Sequence, residues 1–263
     1  MGDQYQTLAV EERDHVQEVT LDRPDVMNAL NTQMLRELME VFERLQVDSG
    51  DLRCVILTGR GDKAFCAGGD LKERRGMTDE TWQAQHAIVE RMIRGILNCP
   101  LPIIGAINGA AYGGGCELAA AVDFVYASAT ARFALTEVTL GIMPGAGGTQ
   151  NLTRAVGTRR AKEIILTGLP FTATDAAEWG LVNKVVEPGE LMNAVRATAA
   201  RIAGNAPISV RQAKQSIHRG SQMSLWDGLA FEIEAYNRMV PTQDRQEGVN
   251  AFNEKRKPVW RGR

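Results

Sequence analysis

Asn108-Gly-Ala-Ala-Tyr-Gly-Gly-Gly-Cys-Glu-Leu118 decides how the rest of the chain is read. Three consecutive glycines, Gly113 to Gly115, give a backbone that turns sharply, accepts positive φ and lets another molecule approach closely because no Cβ intervenes. Cys116 to Val122 are good helix formers apart from the final valine, so a helix is expected from about Gly114. Its first N–H groups lack intrahelical partners and sit at the positive end of the helix dipole, where an oxygen gaining negative charge is stabilised. Glu117, one turn on, lies on the face that leans back over those amides. Plain packing and dipole compensation use the same features, so this stretch alone leaves an oxyanion site and a structural turn as equal readings.

The flanking sequence adds a partner. Residues 103–107 are a short apolar run, expected as a buried strand that delivers the chain straight into the glycines. Residues 54–58 form a second such run, followed by a glycine-bearing loop from Gly59 to Asp70 that contains Ala64-Phe-Cys-Ala-Gly-Gly-Asp-Leu71. Neighbouring parallel strands would bring both loops to one edge of the sheet, where two amides could converge on one oxygen. That arrangement suits a thioester carbonyl that becomes enolate-like, with an acid/base beside it. Glu117 is one candidate and Glu137, in the apolar context Ala134-Leu-Thr-Glu-Val138, is another. For Glu137 a helix-start or surface role stands equally open.

Elsewhere, two-residue alternation predicts strands at 8–10 and 16–21, and helical spacing predicts amphipathic helices from Thr32 to about Gly50 and from Thr78 to Cys99. Further strands are expected at 124–126, 132–135 and 181–186, then only helices, at 189–203, 207–219, 224–239 and 243–256. The chain thus divides into an α/β core over 1–190, carrying the site, and a helical region over 191–263, suited to oligomerisation rather than mere capping.

With 263 residues, 44% hydrophobic and 24% charged, the composition is that of a globular chain with a sizeable core. A formal charge of −2 and an isoelectric point near 6.0 give no general attraction to nucleic acid or an anionic membrane. Four scattered cysteines without CxxC spacing read as reduced, mostly buried thiols. His15, His86 and His218 lie far apart, so no metal site is expected and each is read as a surface or core residue. No secretory pattern and no apolar stretch of about 18 residues occurs, so a soluble, cytoplasmic protein is expected. Gly145-Ala-Gly-Gly-Thr-Gln150 fits no nucleotide-binding fingerprint.

Taken together, five ordered motifs resemble the crotonase family of enoyl-CoA hydratases and isomerases. They are Arg23-Pro24 with Asn28-Ala-Leu30, Ala64 to Leu71, Asn108-Gly with Gly113 to Leu118, Leu140-Gly-Ile-Met-Pro-Gly-Ala-Gly-Gly-Thr-Gln150, and Ala251-Phe-Asn-Glu-Lys-Arg256. The resemblance implies an α/β fold, a spiral of ββα units with a C-terminal helical region, assembled as a homotrimer or as a homohexamer built from two trimers. It implies that Gly69 and Gly114 donate oxyanion-hole amides, and that Ala67, Gly68, Asp70 and Leu71 run along the adenine end of CoA. Phe252 and Lys255 would cover CoA, often that of a neighbouring subunit. Gly145, expected to open a helix after Pro144, would hold a water through its amide. Both acids are kept, as in the hydratases. The implied reaction is syn addition of water across a trans-2-enoyl-CoA to give a 3-hydroxyacyl-CoA, with Glu117 helping to remove the water proton and Glu137 delivering one to Cα. No separate cofactor is implied, since CoA belongs to the substrate. Three departures stand out: Gly69 replaces a frequent alanine, Asn151 a frequent arginine, and Leu71-Lys-Glu-Arg-Arg75 resembles branched-chain, methylglutaconyl-type hydratases. A Δ3,Δ2-enoyl-CoA isomerase and a catalytically silent acyl-CoA-binding scaffold remain the alternatives.

Overall fold

The computed structural model describes residues 5–263. Strands β1 (Leu8–Arg13) and β2 (Val16–Leu21) form an antiparallel hairpin. Asp14 and His15 join them at φ of 49° and 66°, the backbone that lets a two-residue turn follow the twist of its strands. The Asn31 side chain then accepts the Met34 amide at 2.9 Å and starts helix α1 (Thr32–Val47).

From here the chain repeats one move: a strand in a large sheet, a short strand in a small sheet, then helix. The first unit is β3 (Cys54–Gly59), β4 (Ala64–Cys66), α2 (Leu71–Arg74) and α3 (Asp79–Asn98). The second is β5 (Ile103–Ile107), β6 (Ala110–Tyr112) and α4 (Gly114–Ala121). The third is β7 (Phe124–Ser128), β8 (Arg132–Ala134), α5 (Gly148–Val156) and α6 (Thr158–Thr167). After β9 (Phe171–Thr172), α7 (Ala173–Glu178) and β10 (Lys184–Val186) come four helices, α8 (Leu191–Ala203), α9 (Pro207–Gly220), α10 (Leu225–Asn237) and α11 (Gln243–Asn253). The large sheet runs β1-β2-β3-β5-β7-β10 and the small one β4-β6-β8-β9. Pairing from β2 onward is parallel in the large sheet, so each return to it needs a crossover, which the short strand and helix provide.

Both faces of β3 are covered, which explains its unbroken apolar run. Val55 and Leu57 join the main core with Phe42 and Leu38 of α1 and Met92 of α3. Cys54 and Ile56 face the other way and pack with Ile104 of β5 and with Leu191, Val195 and Ala199 of α8. The helical C-terminal region thus begins by closing the second face of the sheet.

Three expectations change. The short strands β4 and β6 lie where only loops were read. The strand expected over 181–186 starts at Lys184, because the amides of Leu181 and Val182 both turn back to the Ala176 carbonyl at 2.9 and 3.1 Å. The strand expected over 132–135 ends at Ala134. Among the described residues no helix is long and apolar enough to cross a membrane.

Truncating a side chain in the second core layer should loosen the packing of α8 on the sheet. Ile56→Ala should lower the unfolding free energy by about 2–5 kcal/mol. Val47→Ala, at a position 90% exposed, should leave it within about 0.5 kcal/mol. Urea denaturation of both variants checks the contrast.

Candidate active site

In the parallel β3–β5 pair Leu57 stands opposite Gly105 and Thr58 opposite Ala106, and in β4–β6 Cys66 stands opposite Ala111. The two glycine loops therefore emerge side by side, from the ends of β4 and β6 rather than straight from β3 and β5. In the first loop most backbone groups are already used. The Ala67 amide donates to Met27 O at 3.0 Å, Leu30 N to Gly68 O at 2.8 Å and Asp70 N to Leu30 O at 2.9 Å, and the Gly68 amide donates to Cys66 Sγ at 3.4 Å. Gly69 N is left with no acceptor among the described residues.

Across the gap the Gly113 amide donates to Ala134 O at 2.9 Å, and the Glu117 amide to Gly113 O at 3.0 Å as the first bond of α4. The Gly114 amide precedes that bond and belongs to the unpaired first turn. The two free nitrogens border one gap: a side chain on Gly114 would come within 3.9 Å of Gly69 N, and one on Gly68 within 3.4 Å of Gly114 N. Gly113 takes φ 50° and ψ −122°, a conformation a side chain would strain. Gly115 is fixed by contact instead, since a Cβ there would sit 2.1 Å from Cys66 O.

The carboxylates lie beside this gap. Glu117 Oε1 accepts the amides of Ala146 at 2.7 Å and Gly148 at 2.8 Å, where α5 begins. Burial raises the Glu117 pKa to about 7; the Gly148 amide opposes the rise, the charge of Glu137 adds to it, and the amides of Ala146 and Gly145 oppose it further. Glu137 opens a 3-10 turn over Glu137–Leu140 and is itself buried. Its Oε2 has no hydrogen-bond partner, and its Oε1 lies 3.3 Å from where a Cβ on Gly113 would stand. Burial raises its pKa as well, against its own backbone amide and the charge of Arg74. Two buried acids of raised pKa can divide the labour of proton donor and acceptor near neutral pH.

Ala67, Gly68, Gly69 and Leu71 from the first loop, Gly114 and Glu117 from α4, and Glu137 and Gly145 all line one cavity of about 660 Å³. Gly145 does not open a helix: α5 starts at Gly148 behind Gly147 at φ 88°, so Pro144 and Gly145 lie in the loop before it. Asp70 contributes no wall. Its carboxylate accepts Arg23 Nη1 at 2.9 Å and the amides of Lys72 and Glu73 at 3.1 and 3.3 Å, capping α2. Phe252, 83% exposed, and Lys255, at φ 55° beyond α11, lie outside the cavity of this chain.

One titratable wall residue was overlooked in the sequence. His86, read as an ordinary surface or core residue, lines the cavity, with Nε2 2.6 Å from where a Cβ on Gly145 would stand. Trp82, His86 and Val89 recur at helical spacing on α3, the signal that puts them on one face. Arg74, at the end of α2 and within the Leu71–Arg75 run singled out in the sequence, also lines the cavity. A larger cleft of about 960 Å³ between α4, α5 and α9 lacks both acids, and its Lys214 is already paired with Asp123 at 2.7 Å. Among the described residues no three His, Cys, Asp or Glu side chains are grouped to hold a metal.

The raised pKa of Glu117 carries a cost in stability whose sign is fixed. Because Glu117 holds its proton to about pH 7 when folded, against 4.5 ordinarily, its penalty is absent below the unfolded value, grows as pH rises and is complete above 7. Relative to wild type, Glu117→Gln should gain up to about 3 kcal/mol of unfolding free energy on going from acid to neutral pH. Urea titrations at pH 4.5 and pH 8 check it; a gap that does not widen contradicts the buried-acid assignment.

Comparison with known proteins agrees with this geometry. The family model described as Enoyl-CoA hydratase/isomerase matches residues 11–263. YngF of Bacillus subtilis (strain 168) is 45% identical over 262 residues, covering 100% of both chains. A short-chain-enoyl-CoA hydratase of Clostridium acetobutylicum is 43% identical over 250 residues, covering 95% of each. The crystal structure of an enoyl-CoA hydratase from Bacillus anthracis superposes with a TM-score of 0.95 at 44% identity, covering 98% of this chain and 100% of that one. With the alternation of large-sheet strand, small-sheet strand and helix, these matches establish that the chain has the crotonase-like α/β fold and belongs to the enoyl-CoA hydratase/isomerase family.

Proposed function

We propose that the protein adds water across the double bond of a trans-2-enoyl-CoA to give the 3-hydroxyacyl-CoA. The observation that carries this reading is the placing of two buried carboxyl groups, both of raised pKa, beside two backbone amides without partners. In the proposed reaction the thioester oxygen accepts hydrogen bonds from Gly69 N and Gly114 N. Conjugation makes that oxygen the place where charge gathers when Cβ is attacked, and each such donor is worth about 3–4 kcal/mol in the transition state.

One water bridges Glu117 and Glu137. Its oxygen bonds to Cβ as Glu117 takes one of its protons, and Glu137 gives its own proton to Cα from the same face. The C=C π bond is the only bond lost between carbons. Proton exchange with solvent restores the pair for the next turnover. Glu117 is suited to the basic role because two amides anchor its Oε1, leaving Oε2 for water. Glu137 is suited to the acidic role because an orphaned, buried Oε2 is better accommodated when the group is protonated.

The reading extends to binding and assembly. The loop Ala67 to Leu71 would run along CoA, the Gly145 amide would help hold the water, and no separate cofactor enters. The exposed apolar row of α10, which includes Leu225, Trp226, Ile233 and Tyr236, favours burial against further copies in a trimer or a dimer of trimers. In that assembly Phe252 and Lys255, outside this chain's own cavity, would cover a neighbour's CoA. Four free, buried cysteines fit a reducing compartment such as the cytoplasm.

Glu117→Gln and Glu137→Gln should each lower the hydration of crotonyl-CoA at least ~10²-fold, measured by loss of enoyl absorbance. Near-normal turnover in either variant would reject the roles. Isomerisation of 3-hexenoyl-CoA surviving one substitution while crotonyl-CoA is untouched would assign the isomerase reaction instead, and tight thioester binding without any product would assign a scaffold.

A further inference from the structure

Gly69 carries one of the two free amides, yet its backbone does not call for glycine, since its φ is not positive. What the missing side chain makes room for is Arg74. The three heavy atoms nearest to the place of a Gly69 Cβ all belong to that guanidinium, Cζ and Nη1 at 2.9 Å and Nη2 at 3.2 Å. A Cβ stands about 2.5 Å from its own backbone nitrogen, so Cζ lies at most about 5.4 Å from Gly69 N. That is within the roughly 4–6 Å over which one charge strongly favours an opposite one.

The guanidinium is held from its stem side. Nε donates to Gln85 Oε1 at 2.9 Å, and Cζ stands 4.7 Å from the centre of the Trp82 ring. Gln85 is buried, and its Nε2 donates to Thr32 Oγ1 at 2.8 Å and to Glu73 Oε2 at 2.9 Å, which turns its oxygen toward Arg74. Among the described residues, Nη1 and Nη2 find no hydrogen-bond acceptor and no ion-pair partner. Glu117 and Glu137 share the cavity wall with Arg74 and act on it only through space. Burial lowers the Arg74 pKa against the charges of Glu73, Glu117 and Glu137, but a guanidinium keeps its proton. The wall beside the Gly69 amide therefore holds a fixed positive charge that no bonded carboxylate offsets.

We propose that Arg74 is a third stabiliser of the oxyanion, its charge favouring the enolate oxygen as that oxygen forms beside the amides of Gly69 and Gly114. The thioester oxygen is neutral when the substrate binds and gains negative charge when Cβ is attacked, so a fixed cation nearby favours the transition state over the bound substrate. Gly69 then serves twice, as a donor through its N–H and as room for the cation through its absent Cβ. Gln85 and Trp82 are the positioning residues of that cation. The inference rests on the placement of the thioester oxygen at Gly69 and Gly114.

Gly69→Ala keeps the amide and displaces the flexible end of Arg74, whereas Arg74→Met removes the charge and keeps the loop. Each should lower kcat for crotonyl-CoA about tenfold with KM little changed, and the double variant should be no slower than either single one. Losses that multiply to about a hundredfold would show two independent effects and overturn the inference, as would a rise in KM at unchanged kcat. Infrared spectra of bound 2,4-hexadienoyl-CoA separate an electrostatic role from a structural one. In Arg74→Met the carbonyl stretch should rise from its wild-type value yet stay below that in water, and Arg74→Lys should recover part of the difference. An unchanged stretch overturns the inference, and so does a rise to the aqueous value, the mark of a collapsed loop. A stretch that answers to Arg74 in a protein that hydrates no enoyl-CoA sinks the hydratase reading and leaves this inference standing; hydration indifferent to Arg74 does the reverse. Failure to bind the dienoyl thioester overturns both.

Discussion

The site depends on a contact between two stretches of backbone. The first turn of α4 lies so close to the end of β4 that a Cβ on Gly115 would stand 2.1 Å from the Cys66 carbonyl oxygen. Only glycine permits that approach, and the approach is what sets the free amide of one loop beside the free amide of the other. Parallel pairing of β4 with β6 provides the alignment, and the hydrogen bonds around Met27, Leu30 and Ala134 decide which amides are left over. The proposed oxyanion site would be the remainder of a backbone whose other donors are already satisfied.

The same helix start orients the chemistry. One turn from Gly114, Glu117 reaches the amides opening α5, so one carboxylate oxygen is anchored while burial keeps the group from being a strong acid. Glu137 comes from a different unit of the spiral and has no such anchor. Environment therefore separates two chemically identical groups, which is the condition for one to accept a proton while the other gives one. Arg74 adds a third charge, oriented by Gln85 rather than by an acid, and so left available to whatever enters the cavity.

Much of this was legible in the residues, and the rest was hidden for physical reasons. β3 and β5 announced themselves because sheet faces buried on both sides demand unbroken apolar runs. β4 and β6 did not, because three residues such as Ala110-Ala-Tyr112 carry no period. The start of α5 was misplaced at Gly145 because Gly-Ala-Gly-Gly has no side-chain cap to mark a boundary, and the N-cap Gly147 makes none. Gly114 was singled out by the glycine run at a helix start and Gly69 by the resemblance, but that their amides are free follows only from where Leu30, Gly68 and Ala134 place their own polar groups. His86 read as an ordinary surface or core residue until α3 was folded over the loops.

The central claim is that Gly69 N and Gly114 N polarise the thioester carbonyl of a bound enoyl-CoA. Infrared difference spectroscopy of 2,4-hexadienoyl-CoA, isotopically labelled at the carbonyl carbon, reads that polarisation directly in the complex. The account predicts a carbonyl stretch lower than that of the same thioester in water, from two fixed donors in a site that excludes solvent. A stretch at or above the aqueous frequency would show that the amides do not hold the oxygen and would contradict the account.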